Sequence, residues 1–167
     1  MVETGFSQSE VKKGLSDGLP VALGYFAVSV AFGMLAVTSG LSPELALLIS
    51  ATNLTSAGQF AGLALIGAGG SLIEIAATVL IVNIRYMLMA LSLSQKMDNN
   101  FGILKRCIVA HGVTDENFMI ASLQPGKLTF GYMLGLMILP IVGWSAGTYA
   151  GAITTNVLPA VVQDALG

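Results

Sequence analysis

Charge is what this chain has least of. Of its 167 residues 10% are charged and 54% hydrophobic, and the mean hydropathy is +0.81. Ordinary soluble domains carry roughly 25% charged residues, so the composition excludes a water-exposed globule and implies an integral membrane protein. The net charge of -2 is too small to imply a nucleic-acid or acidic-surface partner. A single cysteine, Cys107, excludes an internal disulfide and a cysteine metal cluster; an apolar packing role is expected for it. The polar N-terminus, with Glu3, Glu10, Lys12, Lys13 and Asp17, lacks the basic and then apolar pattern of a signal peptide, so no cleavage is expected.

Signs of catalysis are missing too. No nucleophile-elbow or zinc-protease spacing occurs, and Gly67-Ala68-Gly69-Gly70 lacks the Lys-Ser/Thr of a phosphate loop, reading instead as a tight turn. One histidine beside the adjacent acids Asp115 and Glu116 is a poor metal-ligand set. No enzyme, metal or cofactor is expected.

Long apolar runs are abundant. Leu72 to Leu93 contains neither proline nor glycine and is long enough to cross the ~30 Å hydrocarbon core as one helix. It carries Glu74, Asn83 and Arg85. Arginine near a helix centre costs roughly 2.5–3.5 kcal/mol on insertion scales, so Arg85 should face protein or water. Glu74, Thr78, Arg85 and Ser92 share one helical stripe, with Asn83 nearly opposite and free to bond a neighbouring helix. Arg85 is expected to pair with Asp115 or Glu116, either in a site or only to hold helices together.

Four more segments are apolar enough to enter the membrane. Pro20 to Thr38 is a clean span, preceded by a short amphipathic helix that starts at the capping-box sequence Ser7-Gln8-Ser9-Glu10. Leu45 to Ile66 has a polar centre, Asn53-Leu54-Thr55-Ser56-Ala57-Gly58-Gln59-Phe60, and reads as broken or re-entrant. Irregular backbone at membrane depth is tolerated only in protein or beside a water-filled cavity, so such a break would mark a site. Cys107 to Leu123 is short and polar, and Tyr132 to Ala152 is a span containing Pro140. If the segment around Gln59 returns without crossing, Lys12, Lys13, Lys96, Lys105 and Arg106 fall on one side and Lys127 opposite. Leu35 to Pro43 can be laid over Gly151 to Pro159 as an incomplete internal repeat, after which Ala160 to Gly167 is too short to return across the membrane. The fold class expected is thus an all-α polytopic membrane bundle with about five membrane-entering segments.

His111 and Asp115 are four apart and would share a helical face with Ser122. A carboxylate beside an imidazole suits a proton relay, or else a satisfied packing contact.

Three separated motifs together resemble the AzlC family, the large subunit of bacterial branched-chain amino acid exporters: Thr55-Ser56-Ala57-Gly58-Gln59-Phe60, Asn83-Ile84-Arg85-Tyr86-Met87-Leu88 and Gly112-Val113-Thr114-Asp115-Glu116-Asn117-Phe118. Gly18-Leu19-Pro20 followed by Ala31-Phe32-Gly33 also resembles that family's opening helix. The resemblance implies export of leucine, isoleucine and valine, with methionine at the edge of the class, across the cytoplasmic membrane. It also implies partnership with a small AzlD-type membrane subunit. Homo-oligomerisation is left open. Family members are usually longer, so residues 1–167 are expected to form a single transporter domain that is incomplete at its C-terminus. Combined with the residues, this predicts that Asn53, Ser56, Gly58, Gln59, Phe60, Asn83 and Arg85 bind substrate, and that His111, Asp115 and Glu116 couple efflux to protons. The alternative is a scaffold or assembly subunit that needs its partner to form the pathway.

Overall fold

The computed structural model describes residues 7–99 and 101–157. Its secondary structure is helical: α1 (Gln8–Thr38), α2 (Pro43–Thr52), α3 (Ser56–Gly67), α4 (Leu72–Lys96), α5 (Ile103–His111), α6 (Asp115–Leu123) and α7 (Phe130–Val157). Among the described residues, α1, α4 and α7 are long and apolar enough to cross a membrane. The other four are 9 to 12 residues long. At 1.5 Å per residue they reach about 13–18 Å, roughly half of the ~30 Å core.

Two compact units share the three long helices. One comprises the residues up to Leu23 with Arg85–Val142; the other comprises Gly24–Ile84 with the residues from Gly143 onward.

In the first unit, α1 meets α7 through glycine. A Cβ at Gly14, Gly18 or Gly135 would lie 2.2 to 2.4 Å from the carbonyl oxygen of Tyr132, Leu136 or Val11 respectively. Only hydrogen fits there, so the backbones approach closely enough for Cα–H···O contacts. The Leu136 carbonyl is also the one that Pro140, four residues on, leaves without its helical donor. The Asp98 N–H donates to the Leu128 carbonyl at 3.0 Å and the Leu128 N–H to that of Lys96 at 2.9 Å. These bonds tie the chain entering α5 to the chain leaving α6, so the two short helices form a hairpin that goes out and returns. Lys96 Nζ caps the end of α6 at the Ala121, Ser122 and Gln124 carbonyls. Leu93, Phe101, Val109, Leu128 and Leu136 form the core of this unit.

In the second unit, the same α1–α7 device recurs. Cβ atoms at Gly33, Gly147 and Gly151 would lie 2.0 to 2.3 Å from the carbonyls of Thr148, Phe26 and Val30. Here α2 and α3 fold back on one another. Ala46 and Leu63 share a core with Phe32 and Ala36, and Ser50 Oγ donates to Gln59 Oε1 at 3.3 Å. Helix α3 ends where the Gly70 N–H donates to the Leu65 carbonyl and the Gly69 N–H to that of Ile66, with Gly69 at φ +72. That double closure, in a conformation that favours glycine, is the expected tight turn.

Several expectations need correction. Among the described residues a second segment is broken besides Leu45 to Ile66, because Cys107 to Leu123 is interrupted at Gly112–Thr114. Among the described residues no separate amphipathic helix precedes Pro20; α1 runs unbroken through it, since a membrane helix tolerates the one carbonyl that proline frees. The Ser7 hydroxyl bonds that of Ser9 while the Ser7 carbonyl accepts from Val11. Helix α7 likewise continues through Pro140. Cys107 is exposed, not packed. In the first unit Lys13 Nζ donates to Gln124 Oε1 and Lys127 Nζ to the Gln95 carbonyl, so Lys127 joins Lys12, Lys13 and Lys96 at one end instead of lying opposite. In the proposed repeat, Thr155 and Asn156 are still helical where Ser39 and Gly40 already turn; Leu158, Pro159 and Ala160 to Gly167 lie outside the described residues.

Candidate functional site

In the second unit the break falls at Asn53-Leu54-Thr55, at the start of the polar centre, and Ser56-Ala57-Gly58 forms the first turn of α3. Thr55 is the reason. Its extended backbone and side-chain oxygen make it the N-cap of α3: Oγ1 accepts from the Gly58 N–H at 3.3 Å. The same hydroxyl donates to Asn83 Oδ1 at 2.7 Å, so Asn83 anchors the break to α4 as its position opposite the Arg85 stripe suggested. A Cβ at Gly58 would sit 2.7 Å from Asn83 Nδ2 and 2.8 Å from Thr55 Cγ2, which explains the glycine.

Gln59, 3% exposed, is the hub of this break. Its Oε1 accepts from Trp144 Nε1 at 3.1 Å and from Ser50 Oγ at 3.3 Å, while Nε2 donates to the Asn53 carbonyl. Ser50 Oγ is also paired with Thr148 Oγ1 at 2.7 Å. Thr55, Ser50, Trp144 and Thr148 were missed from sequence. Thr55 carried a signal, a threonine three residues before a helical glycine; Ser50 and Thr148 sit inside mostly apolar helices and gave none.

Beside the break lies a cavity of about 230 Å³. Asn53 and Gln59 stand at its polar side, and Phe32, Ile49, Leu63, Ile66, Ile75 and Val79 make its apolar walls. Ser56 is exposed at the start of α3, where the first N–H groups of a helix have no intrahelical acceptor. Phe60 is directed elsewhere, packing edge-on against Phe32 with ring centroids 5.6 Å apart.

In the first unit, Arg85 Nη2 lies 3.0 Å from Asp115 Oδ2, with side chains 49% and 44% exposed. The Arg85 guanidinium also stands 5.3 Å from the centroid of the Tyr86 ring. Asp115 opens α6, whose N-cap Thr114 accepts from the Asn117 N–H at 3.3 Å. Asn117 Nδ2 donates to the Gly112 carbonyl at 2.9 Å. Each break is therefore closed by an N-cap threonine and by an amide side chain reaching back to the residue just beyond the preceding helix.

His111 and Asp115 do not share a helical face. His111 ends α5 and Asp115 begins α6, with the Gly112–Thr114 turn between them, so the four-residue periodicity lapses. His111 and Glu116 are both exposed. Glu74 stays outside the site, accepting from the Ser71 N–H at 2.7 Å and the Ser71 hydroxyl at 2.9 Å.

The family model described as AzlC protein matches residues 20–158. The inner membrane protein YgaZ of Escherichia coli is 31% identical over 163 residues, covering 93% of this chain and 66% of the relative. Uncharacterized membrane proteins of Helicobacter pylori and Archaeoglobus fulgidus are each 29% identical, covering 86% and 88% of this chain and 65% and 64% of themselves. The chain thus spans just under two thirds of the length of these curated relatives. No solved structure matches it. With three helices able to span a bilayer and a family match over most of its length, the chain is a multi-pass membrane protein that belongs to the AzlC family.

Proposed function

We propose that this chain is the membrane-embedded part of a non-enzymatic secondary transporter that exports branched-chain amino acids across the cytoplasmic membrane. The observation that carries the reading is the apolar cavity at the α2–α3 break. At about 230 Å³ it falls below the roughly 300–1,000 Å³ of pockets for drug-sized ligands and suits one small aliphatic solute. A zwitterion needs donors for its carboxylate and acceptors for its ammonium. The start of α3 offers free N–H groups at the positive end of a helix, and the end of α2 offers free carbonyls at a negative end. Asn53 adds an amide to the rim while Gln59 and Asn83 hold the break in shape.

Arg85 and Asp115 supply the second argument. A charge pair half exposed near the middle of a membrane helix cannot face lipid cheaply, so water or protein covers it. A water-filled vestibule beside Arg85 suits a transport path, and Asp115, paired with Arg85 and with His111 and Glu116 nearby in sequence, is the candidate for proton coupling. A small AzlD-type subunit, the rest of a longer chain or a second copy would supply protein cover. Positive charge gathers at the end of the first unit that bears Lys13, Lys96 and Lys127, which orients that end to the cytoplasm.

The test is flux of labelled leucine in proteoliposomes, for the chain alone and with a candidate small subunit, with and without a proton gradient. Saturable flux, reduced by Arg85→Ala and by Asn53→Ala, is expected. Wild-type flux and affinity in both variants at normal expression would reject this site, and no flux in either reconstitution would favour the scaffold.

A further inference from the structure

We infer that Gly62 sets the size of side chain that the α2–α3 cavity accepts. The inference rests on the transporter reading above and names what gives it selectivity.

Gly62 lies inside α3 and lines the cavity. Glycine there costs roughly 1 kcal/mol of helix stability against alanine, so something should require it. Backbone conformation does not, because its φ is not positive. Close packing does not either. A Cβ at Gly62 would meet only Val79 Cγ2 at 3.5 Å and Ile75 Cγ2 at 4.0 Å, both ordinary van der Waals contacts. Gly58, one helical turn earlier, is the contrast, since its Cβ would collide with Asn83 and Thr55. What an alanine at position 62 would change is the room between α3 and α4, where Ile75 and Val79 form the cavity wall. A methyl takes about the ~30 Å³ share of a water molecule, a substantial bite from about 230 Å³. The missing side chain is therefore space kept for the branched end of the substrate.

Size selection by apolar walls is graded. One methylene too many or too few is worth roughly 10–200-fold in discrimination. In the proteoliposome assay, run with whichever pairing supports flux, half-saturating concentrations of leucine, valine and alanine would be compared for wild type, Gly62→Ala and Gly62→Ser. The expected result is a leucine-to-alanine ratio raised about 10-fold or more in both variants, with valine between, at a melting temperature equal to or above wild type for Gly62→Ala. An unchanged ratio with intact wild-type leucine flux would overturn the assignment and leave the cavity to a lipid chain. Absence of leucine flux in wild type would overturn the transporter reading and this inference together.

Discussion

Replacing Gln59 with leucine tests whether the broken segment is held by its polar hub. The volume is nearly conserved, so the change is chemical. Ser50 keeps its bond to Thr148, and the Asn53 carbonyl keeps the Thr55 N–H at 2.8 Å. The indole N–H of Trp144, 1% exposed, loses the acceptor that holds it at 3.1 Å. Leaving such a donor unsatisfied costs roughly 1–3 kcal/mol. The penalty should shrink when Trp144→Phe removes the donor as well, by about 0.6–1.7 kcal/mol if this bond behaves like others within membranes. At about 2–4 °C per kcal/mol for a protein of this size, Gln59→Leu should cost about 3 °C less in the Trp144→Phe background than in wild type. Survival of the monodisperse protein after stepwise heating in detergent, read by size-exclusion chromatography, would measure all four corners of this cycle. Equal costs in the two backgrounds would refute the hub.

Two further outcomes are expected. Asp115→Leu strands Arg85 near the middle of α4, at an insertion cost of roughly 2.5–3.5 kcal/mol if no water reaches it, so membrane yield should fall; Arg85→Leu/Asp115→Leu should recover yield but not transport, and recovery of both would reduce the pair to a helix clamp. Gly33→Leu would drive a side chain into the Thr148 carbonyl and should abolish folded protein, whereas Leu23→Ala on the exposed face of α1 should leave yield unchanged; comparable yields would show that the α1–α7 contact is looser than described.

The features most legible in sequence were those set by long-range composition. Leu72 to Leu93 had to be one helix because nothing in it breaks helices, and Asn83 had to face a neighbour because lipid offers an amide no partner. That Leu45 to Ile66 breaks was readable from its polar centre. The point of breakage was not, because small residues suggest looseness while the first turn of a helix accepts them readily. Thr55 and Thr114, with extended backbones and hydroxyls that accept from Gly58 and Asn117, decide both helix starts. Overlooking Thr114 turned the His111–Asp115 spacing into a helical face. The Arg85–Asp115 pair was foreseen from the shortage of charge: one buried-depth cation and few anions leave few matches. Trp144, Ser50 and Thr148 were illegible, since their role depends on which helix lies opposite and no local pattern records that.

The contact between α1 and α7 has a mechanical meaning. Interfaces built from side chains can repack, trading one rotamer for another as helices slide. This one is glycine against carbonyl oxygen at Gly14, Gly18, Gly33, Gly135, Gly147 and Gly151, and it has no rotamers to trade. A screw slip by one residue, about 1.5 Å with a turn of about 100°, would bring Leu15, Leu19 or Met34 to places where only hydrogen fits. Within each unit the contact behaves as a keyed shaft with its own register. Movement within either unit must then come from its short hairpin, which a few hydrogen bonds hold in place and a few can release.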